Sequence, residues 1–197
     1  MAIDNLISLR AMIRDWDGLP PYTISSILRG AQEAACQLIW LLYPKGSDVR
    51  AIRLRSISNE ETRQYRGYVT AVHRHAKTDA LRAEMQEVLL NLSSEITDDA
   101  PRPSMTKIVR DVEDYMKRNA ITPLDFPIEG FWRLHSSALH GRTWGWGTVV
   151  DLSDEVDDNG LCSLRIYSGM PVVTIVILEL LNEARALLLQ RTADAST

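Results

Sequence analysis

Apolar residues recur at spacings of three and four along residues 21–43: Ile24, Ile27, Leu28, Ala31, Ala34, Ala35, Leu38, Ile39 and Leu42. This is a broad apolar stripe on one side of a helix. Pro20 and Pro21 suit its first turn, and Pro44-Lys45-Gly46 stops it. Arg29 and Glu33, on its other face, are spaced to pair across one turn. A shorter helix is predicted over 3–15, ended by Gly18-Leu19-Pro20. From Ser47 to about His75 the chain is polar but helical in character, with Val49, Ile52, Ile57, Tyr65, Tyr68, Val69 and Val72 thinly spread. The next helix, about 78–96, carries Leu81, Met85, Val88, Leu89 and Leu92 at helical spacing. Residues 98–103 read as a turn or loop. Another amphipathic helix covers 105–119, with Ile108, Val109, Val112, Tyr115 and Met116 inward and Thr122-Pro123 as its breaker.

Residues 126–140 form a helix opened by Pro127 and closed by Gly141, the position where a left-handed residue is wanted. Trp144-Gly145-Trp146-Gly147 follows, then an acid-rich stretch over 151–158 and the turn signal Asn159-Gly160. That stretch reads as a mobile loop, and 148–152 with 161–167 are placed to form a short hairpin. The first half of 171–190 is β-branched enough for a buried strand. Its length and the continuing pattern Leu180, Leu181, Ala184, Leu187 and Leu188 decide for a helix. The pattern predicts an all-α, single-domain bundle of six or seven helices with a possible short β-hairpin near 148–167. Within it, 1–18 is an N-terminal helix and linker, 21–191 the bundle and 192–197 a disordered tail. No boundary between two cores is visible.

Composition adds exclusions. The 197 residues are 45% apolar and 24% charged, the mixture of a globular chain and not of a disordered, collagenous or coiled-coil one. A formal charge of -4 excludes a whole-surface basic footprint for nucleic acid and leaves room for a local patch. Residues 45–82 supply one, with nine basic against four acidic side chains. A solvated helix face is one reading of it. An RNA-backbone surface built on Arg50, Arg53 and Arg55 is the other, with Trp144 and Trp146 available to stack on a base. Cys36 and Cys162 stand far apart, and neither lies in a CxxC pair. The N-terminal residues lack a basic and apolar secretory pattern, so both are expected as reduced thiols in a cytoplasmic protein. The apolar run 171–181 is shorter than the roughly 20 residues of a membrane span. His73 and His75 point about 200° apart on a helix and cannot share a metal. No phosphate-binding glycine loop is present, and no metal or cofactor is implied.

On the 126–140 helix, Glu129, Arg133, Ser136 and His140 fall within roughly 60° of one another. Ile128, Phe131, Trp132, Leu134, Ala138 and Leu139 occupy the opposite arc, together with His135. As a pattern this is the polar face of an amphipathic helix, or a buried polar stripe that holds a bundle in register. Arg133 and His140 in RLHSSALH also resemble the Arg-x4–6-His motif of HEPN domains, small helical proteins of nucleic-acid defence. Ser137-Ala138-Leu139-His140-Gly141 is similar to the S-x-x-H-G signature of a set of helical bacterial proteins. In those, an early helix like ILRGAQEAACQLIWLLYP precedes a basic segment. Where many HEPN motifs carry Asn, Asp or His directly after the arginine, this chain has Leu134, with His135 one later.

The resemblance implies metal-independent cleavage of RNA by a toxin or phage-defence protein. His140 would be the general acid or base, Arg133 would neutralise charge at phosphorus, Ser136 or Ser137 would hydrogen-bond a phosphate oxygen, and Glu129 would orient the guanidinium. It also implies a homodimer that pairs two motifs, and a cognate inhibitor or defence-system partner. The alternative is a non-catalytic interaction or dimerisation module. A small-molecule sensor using a pocket beneath Trp132 is a third class.

Overall fold

The structure is a computed structural model, and it describes residues 2–15, 21–96, 102–121, 127–140, 150–156, 162–166 and 169–195. Among these residues lie seven helices: α1 (Ala2–Asp15), α2 (Pro21–Leu42), α3 (Ser47–His75), α4 (Asp79–Glu95), α5 (Met105–Arg118), α6 (Ile128–Leu139) and α7 (Gly169–Asp194). Strands β1 (Val150–Val156) and β2 (Cys162–Ile166) pair antiparallel, with Val150 opposite Ile166 and Val156 opposite Cys162. The register shifts between Leu152 and Val156, so a bulge takes up the extra residues. The acid-rich stretch expected as a loop is therefore strand as far as Val156. No helix among the described residues is long and apolar enough to cross a membrane.

The contacts gather into two compact units, residues 1–43 with 105–197, and residues 44–104. In the larger unit α1, α5, α6 and α7 all pack on α2. The buried side chains of α2 cover an arc of about 180°, from Ala31 through Leu28, Ile39 and Cys36 to Trp40. Ile24, Leu28 and Ala31 meet Val173 and Ile177 of α7, with Leu6 of α1 and Phe131 of α6 at the edge. Each such Leu or Ile contributes about 1.5–3 kcal/mol by leaving water. At Gly30 the approach of α1 is so close that a Cβ would lie 2.8 Å from Asn5 Nδ2. The sequence stripe is rotated in the structure. Leu38 is exposed, while Ser25 and Gln32 are buried. Helices cover α2 from two sides, so the buried arc is centred on Leu28 and Ile39 and reaches polar positions.

Several helix ends carry identifiable caps. Arg191 of α7 donates from Nε to Leu42 O at 3.1 Å, satisfying a carbonyl at the end of α2. The same arginine pairs with Asp194 at 2.9 Å, and α7 runs on to Asp194 through the start of the expected tail. The expected breaker Thr122-Pro123 lies outside the described residues. Helix α5 stops before it at Arg118, and Ala120 adopts a left-handed φ of 51°. Ile121 N–H then reaches Met116 O at 3.1 Å and Ala120 N–H reaches Lys117 O at 3.2 Å, the paired bonds of a Schellman turn.

The smaller unit is α3 packed on α4. Their connection turns at Thr78, whose hydroxyl accepts from Leu81 N–H at 3.3 Å as the cap of α4. Arg82 braces the turn through Asp79 and Ala76 O. Val69, Ala76 and Leu92 are its buried apolar side chains, while Leu54, Tyr65 and Tyr68 of α3 are exposed.

A non-glycine residue in the left-handed region costs about 1–2 kcal/mol. Ala120→Gly is expected to stabilise the protein by about 0.5–1 kcal/mol, since glycine removes that strain and gives back part of it as chain entropy. Urea unfolding of the two proteins measures the difference, and a destabilised variant would show that Ala120 is unstrained.

Candidate functional site

Helix α6 is short, and two contacts fix its first turn. Gln32 of α2 donates from Nε2 to Ile128 O at 2.8 Å. Glu113 of α5 accepts from Glu129 N–H at 2.8 Å, a carboxylate at a helix N-terminus. Helical hydrogen bonding extends beyond both ends, since Phe131 N–H reaches Pro127 O and His140 N–H reaches Ser136 O. Pro127 therefore opens the helix and His140 closes it. Phe126 and Gly141 lie outside the described residues.

The inward side of α6 holds Ile128, Trp132 and His135, all buried. Trp132 Nε1 donates to Glu33 of α2 at 2.8 Å, and Arg29 donates to the same carboxylate oxygen at 2.8 Å. The Arg29 guanidinium also lies over the Trp132 ring, 5.6 Å from its centroid. The i,i+4 pair read from the sequence is thus half of a three-residue link between α2 and α6. Ser137 is buried and donates back to Leu134 O at 2.8 Å.

Arg133 and His140 are exposed on the other face, with Ser136 half-buried between them. Glu129 stands one turn before Arg133 and accepts from its Nε at 2.7 Å. Glu129 has a second cation. Arg110 of α5 donates from Nε to Oε2 at 2.7 Å and from Nη2 to Oε1 at 2.9 Å, a two-pronged contact. Hydrogen bonds from Arg110 and then Arg133 hold the Glu129 carboxyl down to about 2, so it is ionised at any ordinary pH. Arg110 stands 19 positions away in sequence, and no local pattern points to it. A basic residue on the polar side of the α5 stripe was the only available signal.

The four residues of the sequence constellation share one face of one helix, and α5 adds Arg110 to them. No family model, curated protein or solved structure matches this chain. What the site can do is therefore argued from its chemistry. It holds two half-exposed guanidiniums, one fixed carboxylate, one hydroxyl and one exposed imidazole. That set suits binding of an anion and transfer of a proton. Among the described residues no three His, Cys, Asp or Glu side chains gather to hold a metal.

The other candidate residues are placed less favourably. Arg50 folds back on its own turn, donating from Nη1 to Pro44 O at 2.9 Å and Lys45 O at 2.7 Å. Arg53 is half-buried and Arg55 exposed on α3. Trp144 and Trp146 lie outside the described residues. Cys36 is a free, buried thiol, and burial pushes its pKa far up, so it is not a nucleophile.

His135 shows why only one histidine of α6 belongs to the site. It is 4% exposed, and neither ring nitrogen has a hydrogen-bond partner among the described residues. Burial holds its pKa down to about 4. The unfolded chain takes up a proton there near pH 6.5, which the folded chain refuses until about pH 4. Folding stability is therefore expected to fall as pH drops from 6.5 to 4, by about 3 kcal/mol from this residue. His135→Leu should flatten that slope. Urea titrations of both proteins at pH 7.5, 5.5 and 4.5 measure it, and parallel slopes would show that the imidazole protonates in place.

Proposed function

We propose that this protein is a HEPN-like helical protein that acts on RNA, a metal-independent endoribonuclease of a bacterial toxin or defence system. The observation that carries the reading is the common exposed face of Arg133 and His140, with Glu129 fixed beside Arg133. In this reaction the ribose 2′-oxygen attacks the adjacent phosphorus as its proton passes to a base. The bond from phosphorus to the 5′-oxygen breaks, and that oxygen takes a proton from an acid. Imidazole serves either step because its ordinary pKa lies near neutrality. The Arg133 guanidinium offers a planar fork to the charge that builds on the non-bridging oxygens. Ser136 donates to one of them.

One chain brings one exposed histidine to this face, whereas the reaction uses an acid and a base on opposite sides of phosphorus. A homodimer with α6 near its two-fold axis supplies the second without further sequence. The basic segment 45–82 is by itself a second proposed surface for RNA backbone. A second reading, a non-catalytic interaction module, draws on the exposed Ile175, Leu178 and Leu189 of α7.

Overexpression is expected to arrest growth. The purified protein should cut RNA in excess chelator and leave 2′,3′-cyclic phosphate ends. His140→Ala and Arg133→Ala should each lower the cleavage rate by about 10²–10⁴-fold with unchanged thermal stability. Cleavage that survives His140→Ala, or a non-toxic protein that is inert towards RNA, would favour the module.

A further inference from the structure

Arg110 and Arg133 come from different helices, yet both donate to the one carboxylate of Glu129. Their guanidiniums are thus held within the span of a single small anion. Their side chains are 58% and 51% exposed, so donor groups remain open to solvent. Nε and Nη2 of each contact Glu129, and among the described residues Nη1 of each makes no hydrogen bond. Two cations against one carboxylate leave a surplus of one positive charge. The neighbouring cations leave none, because Lys117 is paired with Glu113 and Arg29 with Glu33. The arrangement is also fixed in place, since Glu113 holds the Glu129 backbone while Glu129 holds both arginines. Exposed ion pairs contribute only about 0–1 kcal/mol to stability, so holding the fold together accounts poorly for two arginines on one acid.

We propose that Arg110 is a second phosphate-binding residue of this site, and that Arg110 and Arg133 together grip one phosphodiester of a single-stranded RNA on the α6 face that carries His140. This rests on the RNA reading above and adds to it a residue from α5. Two arginine forks match the paired non-bridging oxygens of a phosphodiester, which a lysine meets only as a point charge. Glu129 sets the spacing of the two forks before the strand arrives, so little ordering remains to be done on binding.

The test is fluorescence anisotropy of the full chain with a labelled single-stranded RNA fully 2′-O-methylated against cleavage, across a salt series. Arg110→Gln is expected to weaken binding about ten-fold and to lower the slope of log affinity against log salt by about 1. Arg110→Lys should recover only part of the affinity. Glu129→Gln is the background that separates contact from support. If Arg110 touches phosphate, adding Arg110→Gln to Glu129→Gln still weakens binding. If the double variant binds as Glu129→Gln does, Arg110 serves only as the counter-ion of Glu129 and the proposal falls. It falls equally if Arg110→Gln binds RNA like the unaltered protein. A protein that binds no RNA even at low salt overturns the RNA reading by itself. The clamp is then judged by titration with inorganic phosphate. Binding lost in Arg110→Gln sustains it, and absence of binding to the unaltered protein removes it.

Discussion

The larger unit depends on the buried arc of α2, about half of that helix's circumference. A helix apolar over so wide an arc cannot be covered by one neighbour, because a helix pair buries a narrower seam. Ile24, Leu28 and Ala31 turn to α7 and α1, while Gln32, Glu33 and Trp40 turn to α6 and α5. The first side is mainly aliphatic. The second is built from long polar side chains that reach across: Gln32 to a backbone carbonyl, Trp132 to Glu33, and Trp40 to Asp111 at 3.0 Å. A hydrogen bond to a charged acceptor fixes an angle as well as a distance, which aliphatic contact does not. The hydrogen-bonded side of α2 therefore sets the rotation of α6 about its own axis, and with it the direction in which Arg133 and His140 face.

The same device recurs along α5. Its carboxylates Asp111 and Glu113 each serve a partner on another helix, and Tyr115 donates to Glu183 of α7 at 2.5 Å while stacking on Tyr43. Burial and the Glu183 charge both raise the Tyr115 pKa, so this phenol remains a donor. Helix α5 acts as a frame: its apolar stripe of Ile108, Val109, Val112 and Met116 is buried, and its polar edges are tied at both sides. Arg110 sits on one of those edges, and its direction follows from the frame.

The helices themselves are legible from hydrophobic spacing, and the ends of α2, α3, α4 and α5 are read to within a residue or so. The stripe of α5 and the inward arc of α6 also follow from period alone, because each helix has one clear apolar side. Less legible is what depends on the number of neighbours. The exposure of Leu38 and the burial of Ser25 and Gln32 depend on how many helices surround a position, and residue type does not report this. The end of α5 is read to within a residue, but the left-handed turn that closes it falls on Ala120, an alanine where glycine marks such a turn in most sequences. The division into two compact units leaves only an indirect mark, the basic and sparsely apolar composition of residues 45–82, which equally describes a solvated helix face of one bundle. In the candidate site the four residues on α6 are legible as one face of one helix. Arg110 is not, since contact across 19 residues between two helices follows from packing and not from spacing.

His135 and His140 make the distinction between residue type and position concrete. They stand five apart on one helix, so their side chains leave it about 140° apart. One is driven into the interior, where desolvation favours its neutral form and its ring nitrogens go unpaired among the described residues; the other closes the helix in solvent. A buried neutral imidazole cannot reach a substrate, so under the proposed reading proton transfer at this face falls to His140. Under the proposed reading this asymmetry is what calls for a second copy. The fold commits one of the two histidines of this helix to its core, and under that reading the acid and base of one cleavage come from two chains.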